Sequence, residues 1–144
     1  MKHAEYELQK QISRYISIEY PEVDFLSDTV AFLQLSKGQA GRNSAIQKKG
    51  FRCPDLLILE PKKGYCGLFI ELKTNSPFKK NGELKSQKVS KTTTIGKTKV
   101  VVSEYDHLQE QQKSIDKLNK KGYLAMFSWG FEMTKEVIDN YLKP

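Results

Sequence analysis

The chain has 144 residues, of which 38% are hydrophobic and 28% charged, a composition typical of a soluble globular protein. This length allows one domain with a hydrophobic core and is too short for two ordinary ones, so we expect a single domain over residues 1–144. The net charge of +7 favours a polyanionic partner such as nucleic acid or an anionic membrane. The alternative is that the lysines only solvate the surface.

Targeting and cysteine chemistry narrow the classes of protein further. No segment approaches the roughly 20 apolar residues that span a bilayer, and the N-terminus has no apolar signal core. We therefore expect a cytoplasmic protein that is neither secreted nor bound to a membrane. Cys53 and Cys66 suit a reducing compartment. Together with His3 and His107 they are too few and wrongly spaced for a zinc site.

The first predicted element is a helix over residues 3–19, which Pro21 ends. Its apolar stripe consists of Leu8, Ile12, Tyr15 and Ile16. Glu5 lies three residues before Leu8 and therefore on the same stripe, whereas Glu7 points the opposite way. Glu5 is thus expected to face the interior.

The next part of the chain predicts short elements. Residues 30–35 are apolar enough for a strand, and a glycine-containing loop follows over 37–42. Asn43 or Ser44 is expected to cap a short helix through Lys49, with Gly50 as its stop. Strands are then expected over 56–59 and 65–73, joined by a turn at 61–64.

A basic insertion and a second helical region complete the chain. Residues 77–102, rich in Lys, Ser and Thr, are expected to form a projecting loop or a β-hairpin. An amphipathic helix over 105–121, a strand over 123–129 and a helix over 131–142 follow. The predicted fold class is therefore α/β, a small mixed sheet flanked by helices in the order α-β-β-β-α-β-α, with the insertion projecting from it.

The most informative residues are Pro54-Asp55 and, beginning sixteen residues after Asp55, Glu71-Leu72-Lys73. Glu71 and Lys73 are two apart on a strand, so they leave the same face. A neighbouring strand could bring Asp55 beside Glu71, and two carboxylates in a partly apolar place would repel each other unless a cation were bound. Mg²⁺ or Mn²⁺ prefers such oxygen ligands. The alternative is an ordinary surface Glu-Lys pair.

These residues carry a resemblance to a known family. The segments GFRCPDLLILEP, GLFIELKTN, HAEYELQKQISRYI and EQQKSIDKLNKKGYLAMFSWG resemble the VRR-NUC (virus-type replication-repair nuclease) family of the PD-(D/E)xK nuclease superfamily. The resemblance implies a restriction-endonuclease-like core. It implies that Asp55, Glu71 and Glu5 bind the metal ion. It also implies a catalytic set of Glu5, Asp55, Glu71, Lys73 and Gln111.

Helical periodicity supports one further residue of that set. Gln111 lies four residues before Ile115 and seven before Leu118, so it faces the core. The alternative is a polar residue that merely packs against the sheet edge. Gln9, one turn after Glu5, could support the same site. Cys53 departs from the family, which usually has glycine directly before Pro-Asp.

Basic residues suggest where nucleic acid would bind. In the insertion these are Lys79, Lys80, Lys85, Lys88, Lys91, Lys97 and Lys99. Before Asp55 they are Arg42, Lys48, Lys49 and Arg52. Contacts from such side chains to phosphates give affinity with little sequence selectivity. The alternative for both groups is simple solvation.

The resemblance implies a Mg²⁺- or Mn²⁺-dependent DNA endonuclease, of the stand-alone type found in viruses and phages and acting in DNA repair or recombination. Its expected substrates are branched or flapped DNA, including four-way (Holliday) junctions. A homodimer would match a two-fold junction, with apolar residues around 25–35 as a possible interface. A viral protein would act in the host cytoplasm. The alternatives are an inactive nuclease fold that binds DNA, an RNA-directed nuclease, or a protein-interaction partner in a replication complex.

Overall fold

The computed structural model describes residues 2–28 and 33–144. The helices of this part are α1 (Lys2–Glu19), α2 (Lys37–Ala45), α3 (His107–Lys120) and α4 (Phe131–Leu142). Its strands are β1 (Phe25–Ser27), β2 (Leu56–Ile58), β3 (Leu68–Lys73), β4 (Lys88–Ile95), β5 (Thr98–Asp106) and β6 (Leu124–Trp129). Among the residues that the structure describes, no helix is both long and apolar enough to cross a membrane.

A four-stranded mixed sheet in the order β1-β2-β3-β6 forms the centre of the fold. Strand β2 pairs antiparallel with both β1 and β3, whereas β3 and β6 are parallel and are connected through the hairpin and α3. The β2–β3 register pairs Leu56 with Ile70. Because these strands run in opposite directions, Asp55, one residue before β2, comes level with the end of β3 that carries Glu71.

Strand β3 separates two hydrophobic clusters, because alternate side chains leave opposite faces of a strand. Leu68, Ile70 and Leu72 are buried in a cluster that α1 and α4 complete. On the other face, Phe69 packs against a cluster that includes Ile115 of α3. Glu71 therefore lies on the face that α3 covers, and the fold places its carboxylate against that helix.

The insertion contains a β-hairpin, which begins at residue 88. Strands β4 and β5 pair antiparallel from Lys88↔Asp106 to Ile95↔Thr98, and Gly96 provides a positive φ at the tip. Almost all of its side chains are exposed. The hairpin extends beyond the predicted end at 102 and leads directly into α3. That helix begins at His107 because the side chain of Asp106 caps it by accepting from the N–H of Gln109.

The region before β2 differs from the sequence prediction. The sequence predicts a helix capped at residue 43 or 44 that runs through Lys49. In the structure the helix of this region is α2, which ends at Ala45. It starts earlier because Ser36 and Gln39 form a reciprocal capping box. The strand predicted over 30–35 lies partly outside the described residues, and residues 33–35 are not in a strand. The three-residue strand β1 was not predicted.

Gly67, directly before β3, is tightly enclosed. A Cβ at this position would lie 3.0 Å from the carbonyl oxygen of Ile58, a backbone atom held in the sheet. We therefore predict that Gly67→Ala lowers the free energy of unfolding by about 1–3 kcal/mol, because the backbone must shift. Urea denaturation measures this, with Gly38→Ala as control, since a Cβ there meets no atom within 4 Å. Equal losses in both variants would contradict the prediction.

Candidate active site

Asp55 and Glu71 meet at one end of the central sheet. The Oδ2 atom of Asp55 accepts a hydrogen bond of 2.9 Å from the backbone N–H of Leu72, which fixes the carboxylate beside β3. Glu71 is only 5% exposed. A buried carboxylate needs compensating partners. The surroundings of Glu71 therefore decide what this site can do.

Gln111 and Lys73 both contact the carboxylate of Glu71. The Nε2 atom of Gln111 donates to Oε1 of Glu71 at 2.6 Å, and the Nζ atom of Lys73 lies 3.9 Å from the same oxygen. The Oε1 atom of Gln111 is buried and has no hydrogen-bond partner in the described part of the chain. A buried acceptor without a donor is uncommon, and a water at this position would satisfy it.

The electrostatics of the two carboxylates are unfavourable without a cation. Burial raises the pKa of Glu71 well above its ordinary value; the nearby carboxylates of Asp55 and Glu5 raise it further, while Lys73 opposes them. Burial also raises the pKa of Asp55, against the lowering effects of a hydrogen bond with Glu71 and of the Leu72 N–H. Both groups would be ionised more easily if a positive ion bound between them.

These residues line a cleft of about 390 Å³. The predicted catalytic residues that line it are Glu5, Asp55, Glu71, Lys73 and Gln111. Glu5 is half-buried at this cleft, whereas Glu7 is exposed. Gln9 also lines it, and its amide donates to the backbone carbonyls of Asp28 at 2.9 Å and Asp55 at 3.4 Å. Gln9 thus connects the residue that follows β1 with the residue that precedes β2.

Asp28, Gln87 and His107 also line the cleft and were not predicted from the sequence. Asp28 follows β1, and its N–H donates to the backbone carbonyl of Asp55 at 2.9 Å. It was missed because β1 itself was not recognised. His107 lies four residues before Gln111, so helical spacing alone could have placed it on the same face of α3.

The predicted nucleic-acid contacts fall into two groups. Arg52 lines the cleft. The remaining basic residues lie outside its lining, and all are exposed: Arg42, Lys48, Lys49, Lys79, Lys80, Lys85, Lys88, Lys91, Lys97 and Lys99. Two of them contact acidic side chains, Lys79 at 3.7 Å from Glu83 and Lys88 at 4.0 Å from Glu104.

The donor set suits a hard divalent cation. Within residues 2–28 and 33–144, no three Asp, Glu, His or Cys side chains converge closely enough to form a complete metal cage. Mg²⁺ does not require one, because it keeps several waters and binds through one or two carboxylates. Asp55 and Glu71 supply those carboxylates, with Glu5 nearby. The unpaired Oε1 atom of Gln111 is an acceptor that a metal-bound water would satisfy.

The structure thus brings Asp55, the Glu71-x-Lys73 strand and Gln111 of α3 together in one cleft at the mixed sheet. A solved structure described as "VRR_NUC domain protein" superposes with a TM-score of 0.56, covering 97% of this chain and 88% of that chain at 20% sequence identity. The chain therefore has the VRR_NUC fold. No protein-family model matches the sequence, and no curated protein matches it.

Proposed function

We propose that residues 1–144 form a single nuclease domain of the VRR-NUC family, which hydrolyses phosphodiester bonds in DNA with Mg²⁺ or Mn²⁺ as cofactor. The observation that carries this proposal is the cleft in which Asp55, Glu71, Lys73 and Gln111 converge. The likeness to a VRR_NUC domain over nearly the whole chain supports it. So does the basic surface of the hairpin, which suits a polyanionic substrate.

The roles of the side chains follow from their positions. Asp55 and Glu71 would hold the cation, with Glu5 contributing directly or through a water. When bound, such an ion polarises the phosphate and lowers the pKa of a coordinated water. Lys73, on the same strand face as Glu71, orients the attacking water and stabilises the negative charge that develops on the phosphate. Gln111 fixes the carboxylate of Glu71 through its hydrogen bond.

We further propose that the substrate is branched or flapped DNA, such as a four-way junction, and that two copies of the chain act together on it. The exposed apolar side chains of Leu26 and Leu33 support an interface near residues 25–35. The stretch 29–32 within that range lies outside the described residues. Sedimentation velocity at micromolar concentration would test the assembly, and a monomer alone would contradict it.

A panel of labelled nucleic acids tests the function itself. It contains duplex, flapped, four-way-junction and single-stranded DNA and a single-stranded RNA, each incubated with Mg²⁺, Mn²⁺ or EDTA. We expect cleavage of at least one branched DNA with either metal and none in EDTA. Cleavage of RNA alone would redirect the proposal to an RNA nuclease. DNA binding without cleavage of any member would indicate an inactive nuclease fold.

The exposed lysines of the hairpin give a separate prediction. Replacing Lys91, Lys97 and Lys99 by alanine should weaken DNA binding at least about tenfold at low salt. The slope of log affinity against log salt concentration should fall by about 2–3, since three phosphate contacts are lost. The control replaces three exposed lysines elsewhere, Lys10, Lys120 and Lys121. If both triple variants bind DNA equally well, the hairpin is not a DNA contact.

A further inference from the structure

The ends of three neighbouring strands place Asp28, Asp55 and Glu71 in one row across the central sheet. The register of β1 and β2, continued one residue beyond the end of β1, sets Asp28 opposite Asp55. A hydrogen bond of 2.9 Å from the N–H of Asp28 to the carbonyl oxygen of Asp55 shows that the pairing reaches this far. The register of β2 and β3, continued one residue beyond Leu56↔Ile70, sets Asp55 opposite Glu71.

The three carboxylates of this row leave the same face of the sheet, because directly opposite residues of an antiparallel pair share a face. All three residues, Asp28, Asp55 and Glu71, line the cleft. Like charges in such positions are destabilising. The pKa of Asp55 is raised by burial and, in addition, by the charge of Asp28. Asp55 is therefore flanked by a carboxylate on each neighbouring strand, and that of Asp28 has no role in the proposed function.

The backbone around Asp28 is held in place from α1. The Nε2 atom of Gln9 donates to the carbonyl oxygens of Asp28 at 2.9 Å and of Asp55 at 3.4 Å. Gln9 is 6% exposed, so this connection lies inside the protein. Together with the hydrogen bond between Asp28 and Asp55, it fixes the two chain segments relative to each other. The distance of Asp28 from Asp55 is therefore set by the sheet.

The spacing of the row determines how Asp28 can act on a cation held by Asp55 and Glu71. Adjacent strands lie about 4.8 Å apart, which is too far for one Mg²⁺ with oxygen ligands at about 2.1 Å to bind directly to all three strands. In agreement, no three Asp, Glu, His or Cys side chains form a metal cage in the described part of the chain. A metal–water bond followed by a hydrogen bond of about 2.7 Å spans roughly one strand spacing. The geometry therefore favours contact between Asp28 and the ion through a water.

Gln111 gives an independent indication that water is held in the cleft. It lines the cleft and is 6% exposed, and its buried Oε1 atom has no hydrogen-bond partner among the described residues. Its amide nitrogen already donates to Glu71 at 2.6 Å, so the oxygen is left to accept from a ligand. Mg²⁺ keeps several of its waters when it binds to carboxylates, and such waters are donors. Asp28 and Gln111 would then be acceptors for the same hydration shell.

We propose that Asp28 is a positioning residue of the metal site, whose carboxylate accepts hydrogen bonds from waters that remain on the ion held by Asp55 and Glu71. This inference rests on the proposed nuclease function. The charge and the acceptor oxygens of Asp28 would raise the affinity for the hydrated ion and fix the orientation of its waters. Asp55 and Glu71 remain the ligands, and Lys73 remains the group at the reacting phosphate.

Binding of Mn²⁺ in the absence of DNA tests the role of Asp28, with the electron paramagnetic resonance signal of the free ion as the readout. Asp28→Asn keeps the shape of the side chain but removes its charge, and should raise the dissociation constant for Mn²⁺ about tenfold. Asp24→Asn is the matched control, because Asp24 precedes β1, is exposed and lies outside the cleft lining. It should bind Mn²⁺ within about twofold of wild type, since a distant exposed charge is screened by salt.

Two further measurements separate metal positioning from a structural role. Asp28→Glu keeps the charge, and a contact through water tolerates one extra methylene, so its affinity for Mn²⁺ should stay within about threefold of wild type. The rise in melting temperature on replacing EDTA with Mn²⁺ should be smaller for Asp28→Asn than for wild type. A residue that only supports the fold would lower both melting temperatures equally. Equal rises in the two proteins, or a loss of affinity in Asp28→Glu as large as in Asp28→Asn, would overturn the inference.

Single-turnover cleavage of a flapped DNA duplex at increasing Mn²⁺ concentration distinguishes this inference from the proposed function. Asp28→Asn should need about tenfold more Mn²⁺ than wild type for its half-maximal rate. If the wild type cleaves DNA while Asp28→Asn binds Mn²⁺ as tightly as wild type, the inference fails and the nuclease function stands. If Asp28→Asn weakens Mn²⁺ binding but the wild type cleaves no DNA, the positioning role stands and the nuclease function fails. Absence of Mn²⁺ binding by the wild type would overturn the inference whatever the cleavage result.

Discussion

Replacing Glu71 by glutamine is expected to stabilise the metal-free protein while it abolishes cleavage. The carboxylate of Glu71 is buried beside that of Asp55, and their repulsion and desolvation oppose folding. Glutamine keeps an oxygen that can accept from Gln111 and adds an N–H that can donate to Asp55. We therefore expect the free energy of unfolding in EDTA to rise by about 1–3 kcal/mol.

In the presence of the metal ion, the wild type should be more stable than Glu71→Gln. Adding Mn²⁺ stabilises a folded protein that binds it by mass action, and the wild type should gain more than Glu71→Gln, which has lost a ligand charge. Cleavage should fall by at least about 10³-fold in the variant. Urea denaturation in EDTA and in Mn²⁺ measures the stabilities, with Glu7→Gln, on the exposed face of α1, as control. A Glu71→Gln protein that is less stable than wild type in EDTA would contradict this account of the site.

Asp139→Asn is expected to produce the largest loss of stability outside the cleft. The Oδ1 atom of Asp139 accepts hydrogen bonds from the hydroxyls of Tyr15 and Tyr20, each at 2.5 Å, and its Oδ2 atom accepts from Lys135 at 2.9 Å. Asp139 is 9% exposed. This network ties α1 and the residue after it to α4. Losing the charge should lower the free energy of unfolding by about 2–4 kcal/mol at neutral pH.

The loss of stability caused by Asp139→Asn should become smaller as the pH falls. Burial would raise the pKa of Asp139, but the hydrogen bonds from Tyr15, Tyr20 and Lys135 outweigh it and hold the pKa well below its usual range. A carboxylate with a lowered pKa in the folded state contributes stability above its unfolded pKa of about 3.9, and loses that contribution as the pH falls further. The difference between wild type and Asp139→Asn should therefore shrink between pH 7 and about pH 2–3.

Denaturation curves at pH 7 and at low pH measure this difference. The control is Asp116→Asn on α3, where an exposed carboxylate accepts one hydrogen bond of 2.9 Å from Gln112. It should change stability by less than about 0.5 kcal/mol at either pH. A constant difference between wild type and Asp139→Asn at all pH values would show that the loss is one of packing rather than charge.

The parts of the fold that could be predicted are those with a strong local pattern. Strand β3 combines an apolar run with alternation, and α3 carries a clear apolar stripe, so Glu71, Lys73 and Gln111 could all be assigned a face. Glu5 was placed by the stripe of α1 in the same way. In each case the core packs one side of the element, and the sequence period shows which side.

The other features of the fold and the site depend on sequence signals that are weak, or on residues that are far apart in the chain. Helix α2 has no buried residue, so no apolar stripe indicates it, and its start is set by a capping interaction alone. Strand β1 has three residues and gains its definition from pairing with β2. The contact between Arg52 and His107 joins residues 55 apart in the chain. Only the folded arrangement of β5, α3 and the loop before β2 brings these two side chains together.

The central claim is that the Asp55–Glu71–Lys73 cleft hydrolyses phosphodiester bonds. Single-turnover cleavage of a flapped DNA duplex in Mn²⁺ by wild type and Lys73→Ala tests it most directly, with DNA binding measured on the same samples. We predict that the variant binds DNA within about threefold of wild type but cleaves it at least about 10²–10³-fold more slowly. Cleavage by Lys73→Ala at the wild-type rate would contradict the account, because the hydrolysis would then arise elsewhere.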